Sequence, residues 1–417
     1  MLDLKLIREE PDAVRAALAR RGPDTANALD GVIELDRRRR ELLPQLEGLR
    51  AEQNAANARI RSAGEDGERE REIAAMRDVS ARAKQLEAQL QAVEAELRQA
   101  LAPLPNLPDP SAAEAEDEIV KQVGEPPQMS FPPRDHLELA GERIDMDRAA
   151  RLSGSRFAYL KGELVLLELA IVRWALEKLA ARGFEPVIPP VLVRERALYG
   201  TGFLPDTEQQ LYTLPEDELY LIGTSEVALA SLHDEEIVEA ERLPMRYAGF
   251  SPCFRREAGA AGKDTRGIFR VHQFEKVEMF SFVAPEDSAA EHERILAIEE
   301  EILSELELPY RVVNIAVDEL GSSAAKKYDC EAWLPSQGRY RELTSCSNTT
   351  DYQARRLNIR MRADKRTRVL HTLNGTAVAL GRTIVALLEN GQREDGSVQL
   401  PAVLGAFGAP AELAPAV

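Results

Sequence analysis

Residues 254–280 read FRREAGAAGKDTRGIFRVHQFEKVEMF, a stretch that sets arginines around a glycine-containing loop and then alternates charged, polar and aromatic side chains. If residues 253–257 and 268–280 are strands, AGAAGKDTRG is the hairpin loop that joins them. Side chains alternate across a strand, so Arg255 and Glu257 share one face, while Arg270, Phe274 and Glu278 share a face of the partner. One surface then carries cations, an aromatic ring and carboxylates. That set suits a nucleotide: guanidinium groups for phosphates, a ring to stack on adenine, and an acceptor for its exocyclic amine. An ordinary half-exposed hairpin with a charged solvent face would carry the same pattern.

Three further stretches carry chemistry. In LYLIGTSEVALASL, Thr224 and Glu226 end an apolar strand, where polar side chains can face a pocket; Thr224 and Ser225 can equally cap the helical pattern that follows. RYRELTSCSN supplies Glu342 and Ser345, hard oxygen donors of the kind that Mg2+ accepts beside phosphate oxygens. In HTLNGTAVALGRTIVALLENGQ, Val378, Ile384, Leu387 and Leu388 mark the buried stripe of a helix that Asn390 and Gly391 can end. Arg382 lies near the start of that helix, where the dipole disfavours a cation, and an anion in front of it would compensate.

The elements that must hold these residues fall into two parts. From residue 164 onward a strong helix to residue 182, the extended FEPVIPPVLV, and then short strands mixed with helices predict an α+β fold, an antiparallel sheet with helices packed around it. There is no regular βαβ spacing and no G-x-G-x-x-G or Walker loop. The N-terminal part is different. Leu42, Leu46, Leu49, Ala56 and Ile60 form a near-heptad series interrupted by Gln53, and Met76, Val79, Ala83, Leu86, Leu90, Val93 and Leu97 form a second. The polar turn SAGEDGE between them predicts an antiparallel coiled-coil hairpin over about residues 30–102, roughly 45–50 Å long, with Pro44 expected to kink its first helix. The proline-rich APLPNLPDPS and acidic AEAEDE place a boundary near residue 110, giving domains 1–110 and 111–417.

Composition narrows the function. A net charge of −18 argues against indiscriminate nucleic-acid binding. Residues 30–102, with thirteen basic residues against fifteen acidic, are the least repulsive surface for a polyanion, and Arg37, Arg38, Arg39 and Arg40 form a basic block near the base of the arm. The most apolar run, residues 164–172, is short and interrupted by Glu168, and acids enter the N-terminus before a signal-like core could form, so no membrane association and a cytosolic location are expected. Cys253, Cys330 and Cys346 are widely spaced and show neither a disulfide framework nor a zinc module.

In this order, FEPVIPPVL with its Pro190, GTSE, FRREAGAAGKDTRG, VHQFEKVEMF, RELTSCSN, LNGT and ALGRTIVALLEN closely resemble the bacterial branch of the seryl-tRNA synthetases, class II aminoacyl-tRNA synthetases, over essentially the whole chain. The resemblance implies a class II antiparallel sheet behind a tRNA-binding helical arm. It implies ATP-dependent activation of L-serine to seryl-adenylate, followed by transfer to the terminal ribose hydroxyl of serine tRNA, with selenocysteine tRNA as a further acceptor to test. By the same resemblance Arg255 holds the α-phosphate and the serine carboxylate, Glu257 reads the adenine amine, Phe274 stacks on adenine, and Arg270 and Arg382 clamp the distal phosphates. Val271, Arg256, Leu343 and Thr344 complete the ATP set, and Glu342 and Ser345 coordinate Mg2+. Thr224, Ser225 and Glu226 hold the serine amino group, with Glu278, Asn374 and Thr376 about its hydroxyl. A homodimer is implied, and no zinc, because the cysteine set of the zinc-dependent archaeal branch is missing. Cys330 in KYDCEAW stands where the family pattern leads one to expect leucine. Two alternatives stay open on the residues alone: a related adenylating enzyme that loads a carrier protein, which a tRNA-charging assay separates, and a non-enzymatic coiled-coil protein, which would need neither the nucleotide hairpin nor Arg382.

Overall fold

The computed structural model describes residues 1–62, 66–205, 210–258, 264 and 266–416. The chain divides into two compact units, Met1–Pro105 and Asn106–Val417.

In the first unit, two short helices, Leu4–Glu9 and Pro11–Ala19, precede α1 (Pro23–Ser62) and α2 (Asp66–Leu101). Leu46 and Leu49 of α1 bury against Ala83 and Leu90 of α2, with Leu42, Val79 and Leu86 packed around them. Partner numbers rise along α1 as they fall along α2: Arg39 pairs with Glu94 at 3.1 Å, Arg50 with Glu87 at 2.8 Å, and Arg59 with Glu72 at 3.0 Å. The helices are therefore antiparallel. Gln53, which interrupts the apolar series, donates across the seam to Ser80 Oγ at 3.0 Å. The first helix starts well before residue 30, and its 40 residues correspond to about 60 Å at 1.5 Å per residue. It also continues through Pro44 as one helix, with Leu43 and Leu46 packed into the seam on either side. Residues 63–65 of the expected turn lie outside the described residues.

The second unit is built on one eight-stranded sheet. Its strands are β1 (Glu118–Val123), β2 (Glu185–Val187), β3 (Met245–Phe254), β4 (Gln273–Val283), β5 (Tyr310–Asn314), β6 (Lys326–Leu334), β7 (Arg339–Thr350) and β8 (His371–Ala379). They lie in the order β1-β5-β6-β7-β8-β4-β3-β2, antiparallel throughout except for the β2–β3 pair. Three helices, α3 (Glu163–Ala181), α4 (Ser288–Glu305) and α5 (Leu380–Asn390), bury apolar faces in the same core. Strand alternation divides the sheet's work. Val277 and Met279 of β4 and Leu373 and Ala377 of β8 enter that core, whereas Phe274, Lys276, Glu278, Asn374 and Thr376 line a cavity on the other side. On α3, Val165, Leu166 and Leu169 remain exposed, and Ile188 beyond β2 is 82% exposed. Among the described residues no helix is long and apolar enough to cross a membrane.

The hairpin of β3 and β4 is present, but its strands end sooner than the sequence suggests. β3 stops at Phe254 and β4 starts at Gln273, so Arg255 to Glu257 and Ile268 to His272 lie outside the ladder. The ladder ends where the backbone turns to other partners: the Arg256 amide donates to the Gln210 carbonyl at 2.9 Å and the His272 amide to the Arg156 carbonyl at 3.0 Å, and Glu257 at φ +52° ends the extended course of the first limb. The Arg255 amide still donates to the His272 carbonyl at 2.9 Å, a last link between the two limbs. Residues 259–263 and 265 of the loop lie outside the described residues.

Candidate active site

The cavity has a volume of about 360 Å3 and draws its walls from β4, β7, β8, the start of α5 and the limbs beside the hairpin loop. Its inner end is acidic and largely buried. Glu278, with no exposed surface, accepts from Asn374 Nδ2 at 3.1 Å and Thr376 Oγ1 at 3.3 Å, and pairs with Lys276 Nζ at 2.5 Å. β4 and β8 bring this about by register, since Glu278 stands opposite Thr376. Lys276 Nζ also donates to Thr224 Oγ1 at 2.7 Å. Glu226 opens the short helix Glu226–Ala230 and accepts from Gln353 Nε2 at 2.8 Å. Burial first, and then repulsion from Glu278, push the Glu226 carboxyl up to about 7.

The outer end is cationic and aromatic. The Arg255 guanidinium lies over the Phe274 ring, 5.2 Å from its centre, and its Nε donates to the Gly223 carbonyl at 3.1 Å. Arg270 Nη1 donates to Glu257 Oε2 at 2.9 Å. Arg382, in the first turn of α5, lies 5.0 Å from the centre of the Phe269 ring and donates to the Glu342 carbonyl at 3.0 Å. Its Nη1 is also 3.3 Å from the Glu342 carboxylate. Burial opposes a charge on Glu342, yet Arg382, Lys327 and Arg255 outweigh it and hold the carboxyl below its ordinary value. Val271, Leu343 and Ser345 complete this end.

Most of the residues singled out in the sequence thus converge on one cavity, but three side chains do not line it. Ser225 is buried against β3, where its hydroxyl donates to the Gly249 carbonyl at 3.5 Å. Thr344 points through the sheet to the helix side and donates to Glu299 Oε2 at 3.0 Å. Arg256 lies past the end of β3, its amide donating to the Gln210 carbonyl at 2.9 Å, and its side chain is absent from the lining. Strand alternation turns Thr344 away from the cavity, while Ser225 has helical backbone at φ −65° and ψ −15° and Arg256 lies beyond the ladder. The same rule recovers a residue that was missed. Lys276 lies between Phe274 and Glu278 on one face of β4, so its place in the cavity follows from alternation alone.

Behind the sheet, Glu299 of α4 is fully buried, and burial raises its carboxyl well above the ordinary range. It belongs to the support of β7 and β8: a Cβ on Gly375 would come 2.8 Å from its Oε1.

Comparison with known proteins gives a consistent result. A family model described as the tRNA synthetase class II core domain (G, H, P, S and T) matches residues 211–391, and one described as the seryl-tRNA synthetase N-terminal domain matches residues 1–108. The serine–tRNA ligase of Acidothermus cellulolyticus is 52% identical over 410 residues, with 97% of each chain covered. That of Streptomyces coelicolor is 51% identical over 412 residues, covering 97% of this chain and 96% of the relative. The crystal structure of seryl-tRNA synthetase from Pyrococcus horikoshii complexed with ATP superposes with a TM-score of 0.93 at 42% identity, with 100% of both chains covered.

Proposed function

The chain belongs to the seryl-tRNA synthetase family, in class II of the aminoacyl-tRNA synthetases, with that family's serine–tRNA ligase activity, and from this premise we propose which residues perform each step. The observation that carries the reading is the polarity of one cavity: a buried, triply bonded Glu278 at the inner end, and Arg255 stacked on Phe274 at the outer.

L-Serine occupies the inner end. Its hydroxyl donates to Glu278, with Asn374 and Thr376 fixing the carboxylate, and its ammonium meets Thr224 and Glu226. ATP lies across the outer end, with adenine on Phe274, its exocyclic amine on Glu257, and the backbone of Val271 and Leu343 near the base. Arg255 holds the serine carboxylate against the α-phosphate, while Arg270 and Arg382 hold the distal phosphates. A carboxylate oxygen attacks the α-phosphorus and the bond to the bridging oxygen of pyrophosphate breaks. The terminal ribose hydroxyl of serine tRNA then attacks the carbonyl carbon, and AMP leaves. No side-chain nucleophile is required, because alignment and neutralisation of developing charge lower the barrier.

The donors present fit Mg2+: Glu342 is held ionised and Ser345 adds a hydroxyl, and both line the cavity beside the phosphate-clamping Arg382. Bound there, the ion would supply further charge neutralisation on the phosphates.

The helical arm captures serine tRNA. In the free protein its basic block is already paired: Arg37 with Glu34 and Glu41, Arg38 with Glu96 at 3.7 Å, and Arg40 with Asp36 at 3.1 Å. Phosphates would have to exchange with these acids, which implies strong salt dependence. The protein acts in the cytosol as a homodimer, its two-fold contact formed by the exposed apolar row of α3 and the segment after β2. Pyrophosphate exchange and tRNA charging, each run across all amino acids, test the assignment. Serine alone supports both; charging with another amino acid, or exchange without charging, overturns it.

A further inference from the structure

The cavity wall made by Ile268, Phe269, Arg270 and Val271 lies outside the β3–β4 ladder, so the sheet does not fix its position. Its anchors come from a distant segment. The Ile268 amide donates to His136 Nε2 at 3.2 Å. An amide donates only to the unprotonated ring nitrogen, so the ring proton sits on Nδ1, which faces Glu389 Oε1 at 3.3 Å. Glu389 is fully buried near the end of α5, and its other oxygen accepts from the Ser336 amide at 3.1 Å. Gly267 rides directly on the imidazole: a Cβ there would fall 2.1 Å from His136 Nε2. His136 is itself held, as first residue of the helix His136–Ala140, by Asp135, whose carboxylate caps that helix and pairs with Arg266 at 3.2 Å. Residues 266, 267 and 268 are thus clamped in succession onto Asp135 and His136.

Helix α5 gives this clamp a functional meaning. One rigid rod carries Arg382 in its first turn and Glu389 two turns later, about 10 Å along the axis. The Glu389–His136–Ile268 chain therefore ties the 268–271 wall to the same helix that carries Arg382, whose guanidinium rests on the Phe269 ring of that wall. We infer that His136 is a positioning residue for the nucleotide. It does not line the cavity, and it acts by holding the 268–271 wall in the place that Arg270, Phe274 and Arg382 require. This rests on the reading of the outer cavity as the ATP site.

The test compares three variants by serine-dependent pyrophosphate exchange, with ATP affinity measured separately by calorimetry. H136F fills the same space and removes both hydrogen bonds. H136Q keeps an acceptor that reaches Ile268 and a donor for Glu389. H136N stays polar but falls short of Ile268, and it replaces H136F if that variant does not fold. Losing the acceptor of a buried amide predicts a rise in KM for ATP on the order of tenfold in H136F or H136N, no change in KM for serine, and recovery to within about threefold in H136Q. An unchanged KM for ATP in the disruptive variant overturns the inference, and so does an equal rise for serine, which would mark a merely structural histidine. Wild-type protein that binds ATP while Arg255→Ala binds it equally well would instead overturn the reading of the cavity itself.

Discussion

Replacing Glu278 by glutamine isolates the charge that defines the serine pocket. The substitution keeps the volume of a side chain with no exposed surface, so packing against β8 is preserved. It removes a charged acceptor and sets an amide NH2 against groups that already donate: Asn374 Nδ2, Thr376 Oγ1 and Lys276 Nζ. A hydrogen bond to a charged group is worth about 1.5–3 kcal/mol, so kcat/KM for serine should fall roughly 10- to 150-fold in pyrophosphate exchange. KM for ATP should stay near the wild-type value, because Glu278 lies at the opposite end of the cavity from Phe274. Stability should fall as well. Lys276, with 8% of its side chain exposed, loses its buried partner, and breaking such a pair costs about 3–5 kcal/mol, reduced here by the bond to Thr224 and by nearby Glu226. Discrimination against alanine should also collapse, since a site built to bond a hydroxyl otherwise rejects its absence by about 10^4 or more. Exchange at the wild-type kcat/KM for serine in a folded E278Q protein would refute this account of the pocket.

Other consequences follow from the same geometry. With the Glu226 carboxyl raised to about 7, its ionisation spans neutral pH; KM for serine should fall as pH rises from 6 to 8, and E226Q should flatten that profile. Because the raised value means that the folded state binds the extra proton, Glu226 favours the fold below the usual carboxylate range and loses that contribution as pH rises through 7; chemical denaturation of wild type and E226Q at pH 5 and pH 8 should converge and diverge accordingly. Replacing residues 30–102 by a short flexible linker should leave pyrophosphate exchange largely intact while charging of serine tRNA is lost. Equal loss of both activities, once circular dichroism confirms a folded remainder, would assign the arm to support of the active site. Leu166→Asp with Leu169→Asp should convert a dimer to monomer in sedimentation, and an unaltered dimer would move the interface elsewhere.

How much could be read in advance depended on how local the signal was. The α1–α2 arm was legible because its apolar series runs for many turns, although the helix start at Pro23 was not, the seam being sparse there. The β3–β4 hairpin was legible from alternation, but its ends are set by backbone hydrogen bonds to residues 210 and 156, distant contacts that alternation cannot register. Motif strings found the cavity and at the same time overfilled it. Ser225 and Thr344 adjoin lining residues in their motifs yet bond away from the cavity, while Lys276 lines it between Phe274 and Glu278. Glu299 and His136 had no local signal, since each acts on a segment far along the chain and acquires meaning only when α4 and α5 are in place.

The most direct test of the central claim is a crystal structure of the protein with a non-hydrolysable sulfamoyl analogue of seryl-adenylate. The account predicts the seryl hydroxyl within hydrogen-bonding distance of Glu278, its ammonium at Thr224 and Glu226, adenine stacked on Phe274, and the bridging group facing Arg255. An analogue bound with its adenine against Glu278, or bound outside this cavity, would contradict it.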